Sequence, residues 1–144
     1  MSKISALFAY GSLMFAPVWQ RVTGLSRAGV PASLEGFARH AVRGETYPAL
    51  LADPDGRVDG RLYADLSDAV LAMLDRFEGP DYRRIQVSVS LTEGGSAVPA
   101  FVYLYIKPDQ AQAEHWDVAA FEREGMSRFM REYCGFEGTA GRNG

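Results

Sequence analysis

Apolar positions along the chain follow two periods. From Ser67 to Pro80 the spacing is helical: Leu71, Leu74 and Glu78 fall at i, i+3 and i+7, flanked by Val70 and Phe77. Asp68, Ala72, Asp75 and Arg76 take the opposite face. Ser67 is suited to cap the start of this helix. A shorter helix is predicted after Gly11-Ser12, with Pro17 in its first turn, Phe15, Val18, Trp19 and Val22 on its apolar side, and Gly24 at its stop. A last helix is predicted over about 117–131.

Elsewhere the pattern is that of strands. Ile4 to Tyr10 reads as a short, mostly buried strand stopped by Gly11-Ser12. Strand-like segments follow over residues 28–42, 46–52 and 58–66, separated by Gly44 and by an expected turn at Asp53-Pro54-Asp55-Gly56. Arg84 to Leu91 alternates, so Ile85, Val87, Val89 and Leu91 face a core. After a turn at Glu93-Gly94-Gly95-Ser96, the run Pro99 to Ile106 is apolar on both faces, as when one side meets a core and the other lines a covered pocket. The expected architecture is one α+β domain over residues 1–136, a strongly curved or closed sheet flanked by helices. A Gly-rich C-terminal tail is expected to fray over 137–144.

Composition narrows the chemistry. At 144 residues, 47% apolar and 23% charged, the chain can bury a core without disulfide or metal. A net charge of -3 gives no general attraction to nucleic acid or anionic lipid. The apolar stretch Ile4–Tyr10 is too short for a signal segment or a membrane span. With a single cysteine, Cys134, the simplest location is the cytoplasm. His40 and His115 are isolated in sequence, so no metal site is expected. No phosphate-loop lysine motif or dinucleotide fingerprint is present, and Gly11-Ser12 lacks the second glycine of a nucleophile elbow. Cys134 has no neighbouring histidine in sequence; a passive thiol is the simpler reading, with a Cys-His dyad formally open.

Two features remain. Glu78 projects from the apolar stripe in the last turn of its helix, where burial and the helix terminus both disfavour an anion. It is either a carboxyl group of raised pKa with a proton-transfer role or the partner of Arg83 or Arg84 in an ion pair. Tyr10-Gly11-Ser12-Leu13 is either a plain turn or a turn that presents backbone N–H groups to an anion.

Phe8 to Leu13, then Leu74-Asp75-Arg76-Phe77-Glu78-Gly79, then Tyr82-Arg83-Arg84, resemble the gamma-glutamylcyclotransferase-like superfamily. Within it the chain is most similar to the avirulence-induced-gene-like branch, which also carries segments like Tyr47 to Leu50, Val58 to Tyr63 and His115-Trp116-Asp117. The resemblance spans roughly residues 4 to 131. It implies a small mixed β-barrel with flanking helices, and an enzyme that cyclises a small-molecule gamma-glutamyl compound to 5-oxoproline with release of the amine. It also implies that Glu78 is the general acid/base, that Tyr10, Gly11, Ser12 and Leu13 hold the glutamyl group, and that Tyr103 lines the pocket. Tyr82 and Arg84 match a supporting Tyr-x-Arg, with a structural ion pair expected of Arg84. Tyr47, Gly60 and Trp116 are expected to support the fold. No metal or organic cofactor is needed. The alternative is a binding module that keeps the pocket for a small acidic metabolite without turnover.

Overall fold

The computed structural model describes residues 4–134. The predicted tail at 137–144 and the boundary at 136 lie outside the described residues.

Five strands close into a barrel. β1 (Leu7–Ala9) pairs antiparallel with β3 (Pro48–Tyr63) and parallel with β5 (Ala97–Tyr105). β5 pairs with β4 (Tyr82–Leu91), β4 with the start of β2 (Val30–Val42), and β2 returns to β3. Closure leaves no open edge among these strands. The mixed barrel with flanking helices is the expected fold.

Side-chain alternation divides the core in two. Phe8, Leu34, Leu50, Val58, Val89 and Val102 fill the barrel. Val89 is fully buried there, and Ile85, Val87 and Leu91 pack beside it, on the face that the alternation assigns to the core. The opposite faces of the strands pack under helices: Leu7, Ala9, Tyr103 and Tyr105 meet Val18, Trp19, Leu71, Leu74, Phe77 and Phe129. This explains why β5 is apolar on both sides. Each Val, Leu or Phe side chain among them taken fully from water contributes about 1.5–3 kcal/mol.

The helices follow their signals. α1 (Ala16–Thr23) has Pro17 at its start and ends on Gly24 at φ 76°. α2 (Asp68–Glu78) starts on Ser67, whose hydroxyl accepts from the Val70 N–H at 3.2 Å. Asp117 caps α3 (Val118–Ala120), which runs through a wide π turn (Phe121–Gly125) into α4 (Met126–Phe129) and a second wide turn (Met130–Cys134).

Two expectations are corrected. Asp53 to Gly56 does not reverse the chain. β3 runs through it, and these residues bulge out opposite Gly36, which adopts φ 89°; the pairing jumps from Glu35↔Arg57 to Phe37↔Ala52. The turn-forming residues are used for a bend: the Asp53 carboxylate accepts from the Asp55 N–H at 3.1 Å. A sixth strand, β6 (Ala111–His115), extends the sheet beside the far end of β2, in a short segment with no β-branched residue to announce it.

Gly60 lies where β3 passes β1. A Cβ there would sit 2.3 Å from the Ala9 carbonyl oxygen and 2.8 Å from the Phe8 ring. Gly60→Ala should therefore destabilise the protein by about 1–3 kcal/mol in denaturant unfolding, as overpacking against backbone does.

Candidate active site

β1 delivers the chain into Tyr10 and then into a single 3₁₀ turn, Ser12–Met14. The turn is held by Met14 N–H to Gly11 C=O at 3.0 Å and Phe15 N–H to Ser12 C=O at 3.1 Å. Ser12 and Leu13 are buried, and the Tyr63 hydroxyl donates to the Leu13 carbonyl at 2.9 Å. Tyr63 is itself stacked on Trp19 at 3.6 Å between centroids. Burial pushes its phenol up to about 12.

Glu78 is the last residue of α2 and is only 1% exposed. The helix stops there because Gly79 leaves the helical region, at φ 78° and ψ −169°, after its N–H makes the last i→i−4 bond, to the Asp75 carbonyl at 3.1 Å. Burial holds the Glu78 carboxyl well above the ordinary carboxylate range, and the Asp75 carboxylate pushes it further in the same direction.

Three tyrosines cluster with this carboxyl group. The Tyr10 hydroxyl donates to the Tyr103 carbonyl at 2.7 Å, and that of Tyr82 to the Pro48 carbonyl at 2.6 Å. The Tyr103 hydroxyl donates to Asp75 Oδ1 at 2.7 Å. All three phenols are held above their ordinary range, by burial first, and the Glu78 carboxylate adds to the shift in each. A strand end, the terminus of a helix and two other strands thus bring Tyr10, Glu78, Tyr82 and Tyr103 into one electrostatic neighbourhood.

Arg84 does form an ion pair, with Asp75: Nε to Oδ1 at 2.9 Å and Nη2 to Oδ2 at 3.2 Å. Its guanidinium also lies 4.2 Å from the Phe101 ring centroid. Arg83 is exposed. Neither arginine brings Glu78 to the surface.

The supporting positions have visible duties. Tyr47 meets Tyr82 edge-on at 6.3 Å, and the Trp116 indole N–H donates to the Thr46 carbonyl at 2.8 Å. The histidines isolated in sequence meet in space: His40 and His115 face each other across β2 and β6, with ring centroids 5.3 Å apart. The pairing of β6 with β2 is what brings them together. The side chain of Cys134 lies outside the described residues. Among the described residues no helix is long and apolar enough to cross a membrane. Arg39, which sequence reasoning did not single out, donates from Nη1 to the Tyr10 carbonyl at 2.6 Å. One arginine in an alternating strand carries no signal that would have marked it.

A closed five-strand mixed barrel with flanking helices is the gamma-glutamylcyclotransferase-like fold. A protein solved as a gamma-glutamyl cyclotransferase shares this fold, with a TM-score of 0.61 at 22% identity over 70% of this chain and 66% of its own. Residues 7–121 match the family described as gamma-glutamyl cyclotransferase, AIG2-like, and the chain belongs to that family. Protein AIG2 C of Arabidopsis thaliana is 28% identical over 128 residues, which cover 88% of this chain and 78% of that one. The solution structure of another Arabidopsis thaliana protein superposes with a TM-score of 0.71 at 26% identity, covering 91% of this chain and 80% of that one.

The raised proton affinity of Glu78 has a consequence for stability. A carboxyl group whose pKa is higher folded than unfolded favours the fold at low pH and ceases to do so as pH rises through the folded value. Glu78→Gln, neutral at every pH, should raise the Tm at neutral and alkaline pH. The gain should vanish below the ordinary carboxylate range, as read by thermal unfolding of both proteins across pH.

Proposed function

We propose that the protein cyclises a gamma-glutamyl amine or amino acid to 5-oxoproline and releases the free amine, with Glu78 as general acid/base. The observation that carries this reading is the burial of Glu78 beside Tyr10, Tyr82 and Tyr103, with its carboxyl group tuned towards higher pKa. Family membership supports it.

The reaction needs few protein groups. The substrate's alpha-amine attacks its own gamma-carbonyl carbon, forming a C–N bond and closing a five-membered ring. A buried site that holds the chain curled supplies much of the acceleration through proximity. Ionised Glu78 accepts a proton from the attacking nitrogen, then gives it to the departing nitrogen as the original amide C–N bond breaks. One carboxyl group performs both transfers best when its pKa lies near the working pH, and desolvation moves Glu78 in that direction. N–H groups of the Gly11 to Leu13 turn steady the substrate's carboxylate or the carbonyl oxygen as charge develops. Tyr103 and Tyr10, kept neutral by burial, wall the site as uncharged phenols. Arg84, engaged with Asp75, supports Tyr103 through their shared carboxylate.

Glu78→Gln should lower 5-oxoproline release from a gamma-glutamyl panel by about 10²- to 10⁴-fold while leaving the fold intact. In the wild type, kcat/KM should fall on acidification along a limb displaced upward from the ordinary carboxylate range, since Glu78 must be ionised to accept the first proton. Equal turnover by wild type and variant would remove Glu78 from the chemistry. Saturable binding of panel members with no turnover would establish the binding module instead.

A further inference from the structure

Arg39 is a cation placed against the turn that begins at Tyr10, and no step of the chemistry above uses it. It stands on β2, and its Nη1 donates to the Tyr10 carbonyl at 2.6 Å and to the Asp59 carbonyl of β3 at 3.2 Å. Met14 Sδ lies 3.9 Å from the same nitrogen, and the guanidinium sits 5.6 Å from the Trp116 ring centroid. Burial lowers its pKa, opposed by Asp59 and Tyr10, so the protein holds a partly desolvated charge here. Retaining such a charge costs stability unless its hydrogen bonds repay it. Those bonds go to backbone carbonyls, and one belongs to the residue that enters the turn.

The Tyr10 carbonyl shares a peptide unit with the Gly11 N–H, and the described peptides are all trans. In a trans peptide the two groups point in opposite directions, so a guanidinium on the oxygen leaves the N–H directed away from it. A charge-assisted hydrogen bond to the oxygen draws density from the nitrogen and strengthens the N–H as a donor. The Gly11 N–H takes no part in the turn's own bonds, which run from Met14 and Phe15.

We propose that Arg39, braced by Trp116, is a positioning residue that fixes the Tyr10–Gly11 peptide and polarises the Gly11 N–H towards an anionic group of the ligand. The identity of that anion, a carboxylate or developing oxyanion of a gamma-glutamyl compound, rests on the cyclotransferase reading; the geometry does not. A planar guanidinium can reach two carbonyls while lying over an indole, which an ammonium group cannot do as well. The proposal gives the His115-Trp116-Asp117 segment a duty at the site, although it lies far from the turn in sequence.

The test follows the Gly11 amide by two-dimensional proton–nitrogen NMR in wild type, Arg39→Gln and Arg39→Lys, with 5-oxoproline as probe. In Arg39→Gln the Gly11 proton should move upfield while distant amides stay in place. The affinity for 5-oxoproline should fall about tenfold, and Arg39→Lys should recover part of both effects. A folded Arg39→Gln with an unmoved Gly11 resonance overturns the proposal, even if its Tm drops, because the arginine is then only a cross-strand staple. A moved resonance with unchanged affinity overturns it too. If Arg39→Gln does not fold, Arg39→Lys decides by the same two readings. A wild type that neither binds 5-oxoproline nor turns over the panel defeats the functional reading alone, and the Gly11 resonance still judges Arg39.

Discussion

Taking one carboxyl group out of water constrains most of what surrounds it. Glu78 is as buried as the leucines of α2, and an ionised carboxylate at that depth is expensive without compensation. Its proton affinity rises in response, and the nearby phenols, themselves desolvated, remain protonated. Their hydroxyl protons are committed to backbone carbonyls or to Asp75, which fixes their orientation before any ligand arrives. The result is a low-dielectric setting in which the phenols stay protonated and Glu78 has a raised proton affinity.

Asp75 links this interior to the surface. It raises the proton affinity of Glu78, accepts from Tyr103, and holds Arg84 in a fork-shaped pair. Because Asp75 is exposed, solvent screens the pair, and its contribution to stability is small. Its value lies in geometry: one carboxylate orients a phenol on β5 and a guanidinium on β4.

What the sequence disclosed follows local physics. The α2 stripe, the Ser67 cap, the Gly24 stop and the alternation of β4 were readable because each depends on neighbours within a few residues. Glu78 stood out for the same reason, as a charge at an apolar helical position. Asp53 to Gly56 reads as a turn in sequence but forms a bulge, because Pro, Asp and Gly signal a bend without specifying how far the chain turns. β6 is not legible in sequence because its pairing partner, not its own composition, makes it a strand. Arg39 and the His40–His115 contact depend on strand register, which nothing local records. The direction in which Asp75 reaches, from the polar face of α2 to Tyr103, was likewise set by tertiary packing.

The parallel contact between β1 and β5 joins Leu7 to Phe101, residues 94 positions apart in the sequence. Loop-closure entropy makes such a pairing slow, while the β2–β3 and β4–β5 hairpins need far shorter loops. During synthesis, β1 emerges first yet waits for β5 before it can settle between two neighbours. The turn after Ala9 takes its shape from that placement, so the site matures with the final closure of the barrel. A half-made chain would carry the helix and its glutamate without the wall that desolvates it.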